Sequence, residues 1–159
     1  YAYIDAISEL KSYADQNNWI PDFIFLASGT GSTQSGILAG LDKFGFNSTK
    51  VVGVSVARKS EPASKIVRDF YESLCKAYKI QFSDNETLVL DDYLCGGYEQ
   101  YNDELKQISD NSIKNYGFPL DTCYSGKAFY GMLDYIKKNK IDRKNILFWH
   151  TGGVFNFLA

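Results

Sequence analysis

The segment Phe23–Thr33, which reads FIFLASGTGST, decides the fold of this 159-residue chain. Residues 23–27 form a short continuous apolar run, typical of a strand buried on both faces of a parallel sheet. Residues 28–33 form a loop of glycines and hydroxyl residues. Apolar residues then recur at helical spacing from Ile37 to Phe44, and Gly45 marks the end of the predicted helix.

Strands and helices alternate along the rest of the chain, which predicts an α/β fold. The expected architecture is an open three-layer sandwich with a mainly parallel sheet, with residues 1–159 forming a single domain. The further predicted elements are a helix over 3–18, a strand over 51–56, a helix whose apolar face carries Ile66, Phe70, Leu74 and Tyr78, a strand over 88–90, a polar helix over roughly 99–116, a helix that opens at 124–127, and a strand over 146–149.

Three glycine loops follow the predicted strands, at Gly29, at Gly96 and at Gly152. In open parallel sheets the ligand crevice lies outside the carboxyl ends of the strands. We therefore expect the three loops to converge on one site.

The first of these loops has the character of an anion cradle. Glycines let the backbone approach a ligand closely, and the N–H groups at a helix start favour a phosphate. The loop is not a Walker A motif, and Gln34 stands where a dinucleotide fingerprint has its third glycine. A tight turn with a Ser/Thr helix cap is the alternative interpretation.

The composition of the chain argues against several classes of function. The net charge is −2, which argues against a nucleic-acid partner, and no apolar run is long enough for a membrane span. Three widely spaced cysteines predict reduced thiols in a cytoplasmic protein. His150 is the single histidine, so no metal centre is expected, and a buried core position is favoured for its ring.

Three segments together resemble a known enzyme family. They are ASGTGST at 27–33, LDTCYSGKA at 120–128 and HTGG at 150–153. In this order they resemble the C-terminal part of the D-cysteine desulfhydrase and 1-aminocyclopropane-1-carboxylate (ACC) deaminase family. These are pyridoxal-phosphate (PLP) enzymes of fold type II, related to the tryptophan synthase β chain.

The resemblance implies a role for each matching residue. Tyr124 would face the cofactor ring and help to activate or position the substrate, and Tyr98 would be a second active-site tyrosine. Ser125 would contact the pyridine nitrogen. The final loop would close the pocket through Thr151 and Gly152. The residues that would hold the cofactor phosphate are Gly29, Thr30, Gly31, Ser32 and Thr33.

Position 125 distinguishes activities within the family. The deaminases resemble Tyr-Glu-Gly-Lys at this point, whereas the desulfhydrase-like members have a hydroxyl residue, as Ser125 is here. Thr151 also favours the desulfhydrase-like members, because the deaminases tend to have Leu before the two glycines. The expected reaction is α,β-elimination from D-cysteine or a related small amino acid, giving pyruvate, ammonia and sulfide. ACC deaminase is the alternative.

No lysine in the chain matches the family's Schiff-base lysine, which we expect upstream of Tyr1. The resemblance implies that residues 1–159 are most of the large PLP-binding domain of a fold type II enzyme, without the N-terminal segment and the small domain. Lys127 is expected to be structural or solvated. The chain alone would then be inactive, and a non-catalytic α/β module that binds a phosphorylated ligand is a third alternative. Family analogy implies a homodimer of the whole protein.

Overall fold

The computed structural model describes residues 1–158, which form a four-stranded parallel sheet with helices on both faces. The strand order is β3-β2-β1-β4, so β1 and β2 are central. The elements are α1 (Ala2–Asn17), β1 (Phe23–Ser28), α2 (Ser32–Phe44), β2 (Lys50–Ser55), α3 (Ser60–Tyr78), β3 (Leu88–Leu90), α4 (Asp103–Asp110), α5 (Ser112–Tyr116), α6 (Ser125–Lys138), β4 (Ile146–Trp149) and α7 (Val154–Leu158).

The predicted α/β sandwich is confirmed, and β1 shows why its sequence is continuously apolar. Ile24, Phe25 and Leu26 are fully buried, because successive side chains of a strand point to opposite faces and helices cover both. Ile24 and Leu26 belong to the core shared with α1, α2 and α3. Phe25 packs on the other face with Phe129 and Met132 of α6.

The register of the sheet aligns the strands' carboxyl ends. Ser28 at the end of β1 pairs with Ser55 at the end of β2. On the other side, Leu26 pairs with Trp149 at the end of β4. The loops that follow these three strands therefore leave the sheet at one edge.

The helix predicted around residues 66–78 is present, but its most buried row is shifted by one position. Phe70 and Tyr78 of the predicted apolar row are each 45% exposed. The buried row of α3 is Ala63, Val67, Tyr71 and Cys75. This row faces α2, and the hydroxyl of Tyr71 donates to Asp42 there, so an amphipathic tyrosine is buried in place of Phe70.

The single polar helix predicted over roughly 99–116 is wrong, because two short helices occupy this region. Asn102 caps α4 by accepting a hydrogen bond at 2.9 Å from the backbone N–H of Leu105. Residue 99 lies before this cap with a positive φ of 62°. Asn111 separates α4 from α5, and Gly117 ends α5 in the left-handed conformation.

Among residues 1–158, no helix combines the length and the apolar character that a bilayer crossing requires. The longest helix, α3, has 19 residues, and only four of them are buried.

Helices α1 and α2 pack closely because glycines of α2 face α1. A Cβ atom added at Gly40 would lie 2.7 Å from Cγ1 of Ile7, which is fully buried. At Gly36 it would lie 2.8 Å from Cβ of Tyr3. These distances are shorter than real carbon contacts, so larger residues would force the helices apart.

We predict that Gly40→Ala destabilises the protein. Overpacking a core costs about 1–3 kcal/mol, and the better helix propensity of alanine returns at most about 1 kcal/mol. Chemical denaturation should show a net loss. Glu9→Ala, on the exposed side of α1, is the control and should change stability by less than about 0.5 kcal/mol. A Gly40→Ala protein as stable as this control would contradict the packing argument.

Candidate functional site

A cleft of about 650 Å³ lies at the carboxyl edge of the sheet. Its volume is in the range of small-molecule sites. The loops after β1 and β4 and the loop at Gly96–Tyr98 all reach this region, as the spacing of the strands suggested. The predicted site residues that line the cleft are Gly29, Thr30, Thr33, Tyr98, Tyr124, Thr151 and Gly152.

The glycine loop has free hydrogen-bond donors. The backbone N–H groups of Gly29, Thr30 and Gly31 donate no hydrogen bond within residues 1–158. The first N–H groups of α2 add to them, because the start of a helix has no carbonyl to receive them. A small cavity of about 20 Å³ lies against the loop, lined in part by Gly31 and Thr33. The loop therefore fits the oxygens of a phosphate.

Gly31 is needed for this shape. It is the N-cap of α2 with φ of 86°, a conformation that residues with a Cβ rarely adopt. Ser32 lies at the first position of α2, outside the cleft lining, and its hydroxyl is 3.0 Å from that of Thr30.

Arg58 is a cleft residue that no sequence motif indicated. It is the only charged side chain in the cleft lining formed by residues 1–158, and its guanidinium donates to the carbonyl of Gly29. The buried hydroxyl of Ser55 fixes its backbone, accepting from the Arg58 N–H at 2.9 Å and donating to the Arg58 carbonyl at 2.6 Å. Its place in the chain could have indicated a role at the cleft, because Arg58 follows the strand that neighbours β1.

Tyr98 and Tyr124 meet across the cleft. Their hydroxyl groups are hydrogen-bonded, and their ring centroids are 5.9 Å apart at an interplanar angle of 73°. The hydrogen bond with Tyr98 and, next, partial burial raise the pKa of Tyr124 well above its usual range. Tyr124 is therefore neutral at physiological pH and keeps its hydroxyl proton.

Asp121 holds the start of α6 in place. Its side chain is 1% exposed. Oδ2 accepts from the N–H groups of Cys123 at 2.9 Å and Tyr124 at 2.8 Å, and Oδ1 accepts from the N–H of Ser125 at 2.7 Å. A Cβ added at Gly153 would lie 2.5 Å from Oδ1, so the final loop rests directly on this carboxylate. One side chain thus positions Tyr124 and the Gly152–Gly153 loop together.

Ser125 lies beneath the cleft and not in its lining. It is 1% exposed, and its hydroxyl donates to Oδ1 of Asp121 at 2.5 Å and accepts from the Asp121 N–H at 3.0 Å. Its contact with a pyridine nitrogen stays a prediction. In this structure its hydroxyl supports the Asp121 turn.

The core position favoured for His150 is wrong, because this side chain is exposed. Its Nδ1 accepts from the N–H of Gly152 at 3.2 Å, so the proton is on Nε2, which donates to the carbonyl of Pro119 at 2.8 Å. His150 therefore shapes the last loop. Cys75, Cys95 and Cys123 are free, and no cluster of metal-ligating side chains is found within residues 1–158.

This fold and site define a cofactor-binding α/β enzyme domain, and comparison with known proteins supplies the family. Residues 2–152 match the family model described as pyridoxal-phosphate dependent enzyme. The chain belongs to this family, whose cofactor is PLP.

Individual proteins of known name are also similar to this chain. Over 161 residues the chain is 31% identical to a Thermotoga maritima protein named "Putative 1-aminocyclopropane-1-carboxylate deaminase", covering 100% of this chain and 49% of that protein. A Pyrococcus horikoshii protein of the same name is 31% identical, with 96% and 45% covered. A crystal structure of "the ACC deaminase homologue" superposes with a TM-score of 0.83 at 30% identity, covering 96% of this chain and 45% of that one. The chain thus spans about half the length of these relatives.

We predict that Asp121→Asn destabilises the start of α6. An amide in place of the carboxylate turns an NH₂ group toward backbone N–H donors, and hydrogen bonds to a charged group contribute roughly 1.5–3 kcal/mol each. A loss of about 2–4 kcal/mol in the free energy of unfolding is expected by chemical denaturation. Asp142→Asn, at a carboxylate whose side chain is 85% exposed, is the matched control and should be nearly neutral.

We predict that Tyr98→Phe lowers the pKa of Tyr124 toward the ordinary tyrosine value of about 10. The shift follows because the hydrogen bond with Tyr98 is the main cause of the raised pKa. Because the pKa of Tyr124 is higher in the folded state than in the unfolded state, its protonated form stabilises the fold at pH values below the unfolded-state pKa. This stabilisation is lost as the pH rises through the folded-state pKa.

NMR titration of ¹³Cζ-labelled tyrosine measures this change, with the Tyr124 signal assigned through Tyr124→Phe. Tyr101→Phe, on an exposed neighbouring tyrosine, serves as the control. A Tyr124 pKa that is unchanged in Tyr98→Phe would show that the two hydroxyls are not coupled.

Proposed function

We propose that the whole protein containing this chain is a PLP-dependent lyase that eliminates sulfide from D-cysteine or a related small amino acid. One observation carries the proposal. A glycine loop with free N–H groups and a hydrogen-bonded tyrosine pair line the same cleft.

The residues present fit the cofactor's phosphate. Gly29, Thr30 and Gly31 offer backbone N–H groups at the start of α2, where the helix dipole favours an anion. The guanidinium of Arg58 adds a positive charge at the rim of the loop. When bound, PLP supplies an electron sink for bond cleavage at the α and β carbons of an amino acid.

The tyrosine pair is the proposed proton carrier of this chain. The hydroxyl of Tyr124 is neutral and directed into the cleft, and Tyr98 holds it in place. It can donate its proton to a leaving sulfur atom or orient the substrate's carboxylate. Positioned groups of this kind accelerate proton transfer by about 10²–10⁴-fold.

The reaction balances with one water. Elimination removes the α proton and breaks the Cβ–S bond, and sulfur leaves with the electron pair and a proton as hydrogen sulfide. Hydrolysis of the remaining enamine yields pyruvate and ammonia. No external oxidant or reductant is required.

Two features favour elimination over ring opening. No carboxylate lines the cleft within residues 1–158, and the residue after Tyr124 is Ser125, where the deaminase pattern has Glu. Without a carboxylate to stabilise the protonated pyridine nitrogen, loss of a good leaving group is easier than cleavage of a carbon–carbon bond. ACC deaminase is the second candidate, because it is the activity in the relatives' names.

We predict that the full-length protein is yellow with bound PLP and releases sulfide and pyruvate from D-cysteine. Sulfide is measured by methylene blue formation and pyruvate by coupled reduction. Formation of 2-oxobutanoate from ACC, without sulfide from D-cysteine, would establish the deaminase instead. A colourless protein that cannot be loaded with PLP would overturn both enzyme activities and favour the non-catalytic binding module.

Within that protein, Tyr124→Phe should lower turnover about 10²-fold or more, because the donated proton is lost while the phosphate loop is intact. PLP absorbance should remain. Tyr116→Phe, on a tyrosine that packs against Phe129 outside the cleft lining, is the control. Unchanged turnover in Tyr124→Phe would remove Tyr124 from the catalytic residues.

We also propose that the whole protein is a cytoplasmic homodimer whose Schiff-base lysine lies upstream of Tyr1. Free thiols at Cys75 and Cys123, both buried, are compatible with a reducing compartment. Light scattering of the full-length protein reports the oligomeric state.

A further inference from the structure

Lys127 is a buried lysine with no assigned role in the proposed chemistry. Its side chain is fully buried, and within residues 1–158 it forms no ion pair. Burial lowers its pKa from the usual lysine range. Placing such a group in the interior is costly unless its hydrogen bonds are satisfied, so its partners indicate what it does.

Both hydrogen-bond acceptors of Lys127 belong to the loop that carries Tyr98. Nζ donates to the carbonyl of Leu94 at 2.8 Å and to the carbonyl of Gly97 at 2.6 Å. These carbonyls also close two consecutive turns. The Leu94 carbonyl accepts from the N–H of Gly97 at 3.0 Å, and the Gly97 carbonyl accepts from the N–H of Gln100 at 3.2 Å.

This loop needs such support because its backbone is strained. Cys95 and Glu99 have positive φ angles of 53° and 62°, although neither is a glycine. Conformations of this kind persist when the surroundings hold them. Tyr98 lies between the two strained positions, and its side chain is 49% exposed, so packing alone does not fix it.

Helix α6 contacts the loop at two points. Tyr124, the N-cap of α6, meets the hydroxyl of Tyr98, and Lys127, three residues later, binds the backbone on either side of the first turn. Residues three apart lie on the same face of a helix. The backbone clamp and the side-chain contact therefore come from one helical turn.

We propose that Lys127 is a positioning residue that holds the turns at 94–100 so that the hydroxyl of Tyr98 reaches the hydroxyl of Tyr124. It acts through Tyr98, and it does not contribute to the phosphate loop. This role rests on the proposed function only for its effect on turnover, since the loop geometry itself is independent of the reaction.

The test is Lys127→Met in the full-length protein, with Lys137→Met as the matched control on the exposed end of α6. The variant should fold, because each carbonyl keeps its turn hydrogen bond from Gly97 or Gln100. Hydrogen exchange at these two amides should accelerate by a factor on the order of ten, since a hydrogen bond to each acceptor is lost. Amides in β1 and α2 should be unchanged.

A double-mutant cycle with Tyr98→Phe separates positioning from a general structural effect. Lys127→Met should reduce kcat in the wild-type background and cause no further loss in the Tyr98→Phe background, because its effect passes through Tyr98. PLP affinity should be the same in all four proteins.

Three outcomes would overturn the proposal. They are unchanged exchange at Gly97 and Gln100, exchange that accelerates uniformly over the whole protein, and a loss of turnover or PLP affinity that persists in the Tyr98→Phe background. If the full-length protein shows no PLP-dependent turnover, the proposed function fails, and the exchange measurement alone decides the role of Lys127.

Discussion

The parallel pairing of β1 with β2 and β4 is the constraint on which the site depends. Because the three strands run in the same direction and in register, their carboxyl ends lie at one edge of the sheet. The glycine loop, Arg58 and the Gly152 loop each follow one of these strands. The cleft therefore forms between segments that are more than a hundred residues apart in the chain, and no single segment forms it alone.

The first turn of α6 is the second organising element. The carboxylate of Asp121 accepts hydrogen bonds from the backbone N–H groups of Tyr124 and Ser125 at the start of the helix. These hydrogen bonds orient Tyr124 toward the cleft. Gly153 packs on the same carboxylate, and Lys127 reaches across to the loop of Tyr98. The short motif LDTCYSGK thus connects the Gly152–Gly153 loop with the loop of Tyr98.

Much of the fold could be predicted because its signals are local. The apolar run at 23–27 is sufficient to predict a buried strand, and the structure confirms that strand. The glycine-rich segment after it forms a loop at the cleft, and its binding of a phosphate stays a prediction. The errors arose where tertiary contacts override a local pattern. Phe70 continues an apolar row, yet Tyr71 is buried because Asp42 on α2 accepts a hydrogen bond from its hydroxyl. His150 directly follows a strand, yet it is exposed and hydrogen-bonded to the carbonyl of Pro119.

The sequence by itself determined the fold class, the family resemblance and the choice of Tyr98 and Tyr124 as candidate site residues, because these depend on residue type and order. Only the tertiary structure decided what the polar side chains bind. Ser125 supports Asp121 below the cleft, Arg58 donates a hydrogen bond to the glycine loop, and Lys127 is buried against two carbonyls. A hydroxyl or a long cationic side chain can serve many partners, and its choice among them is set by distances between elements that the local sequence does not specify.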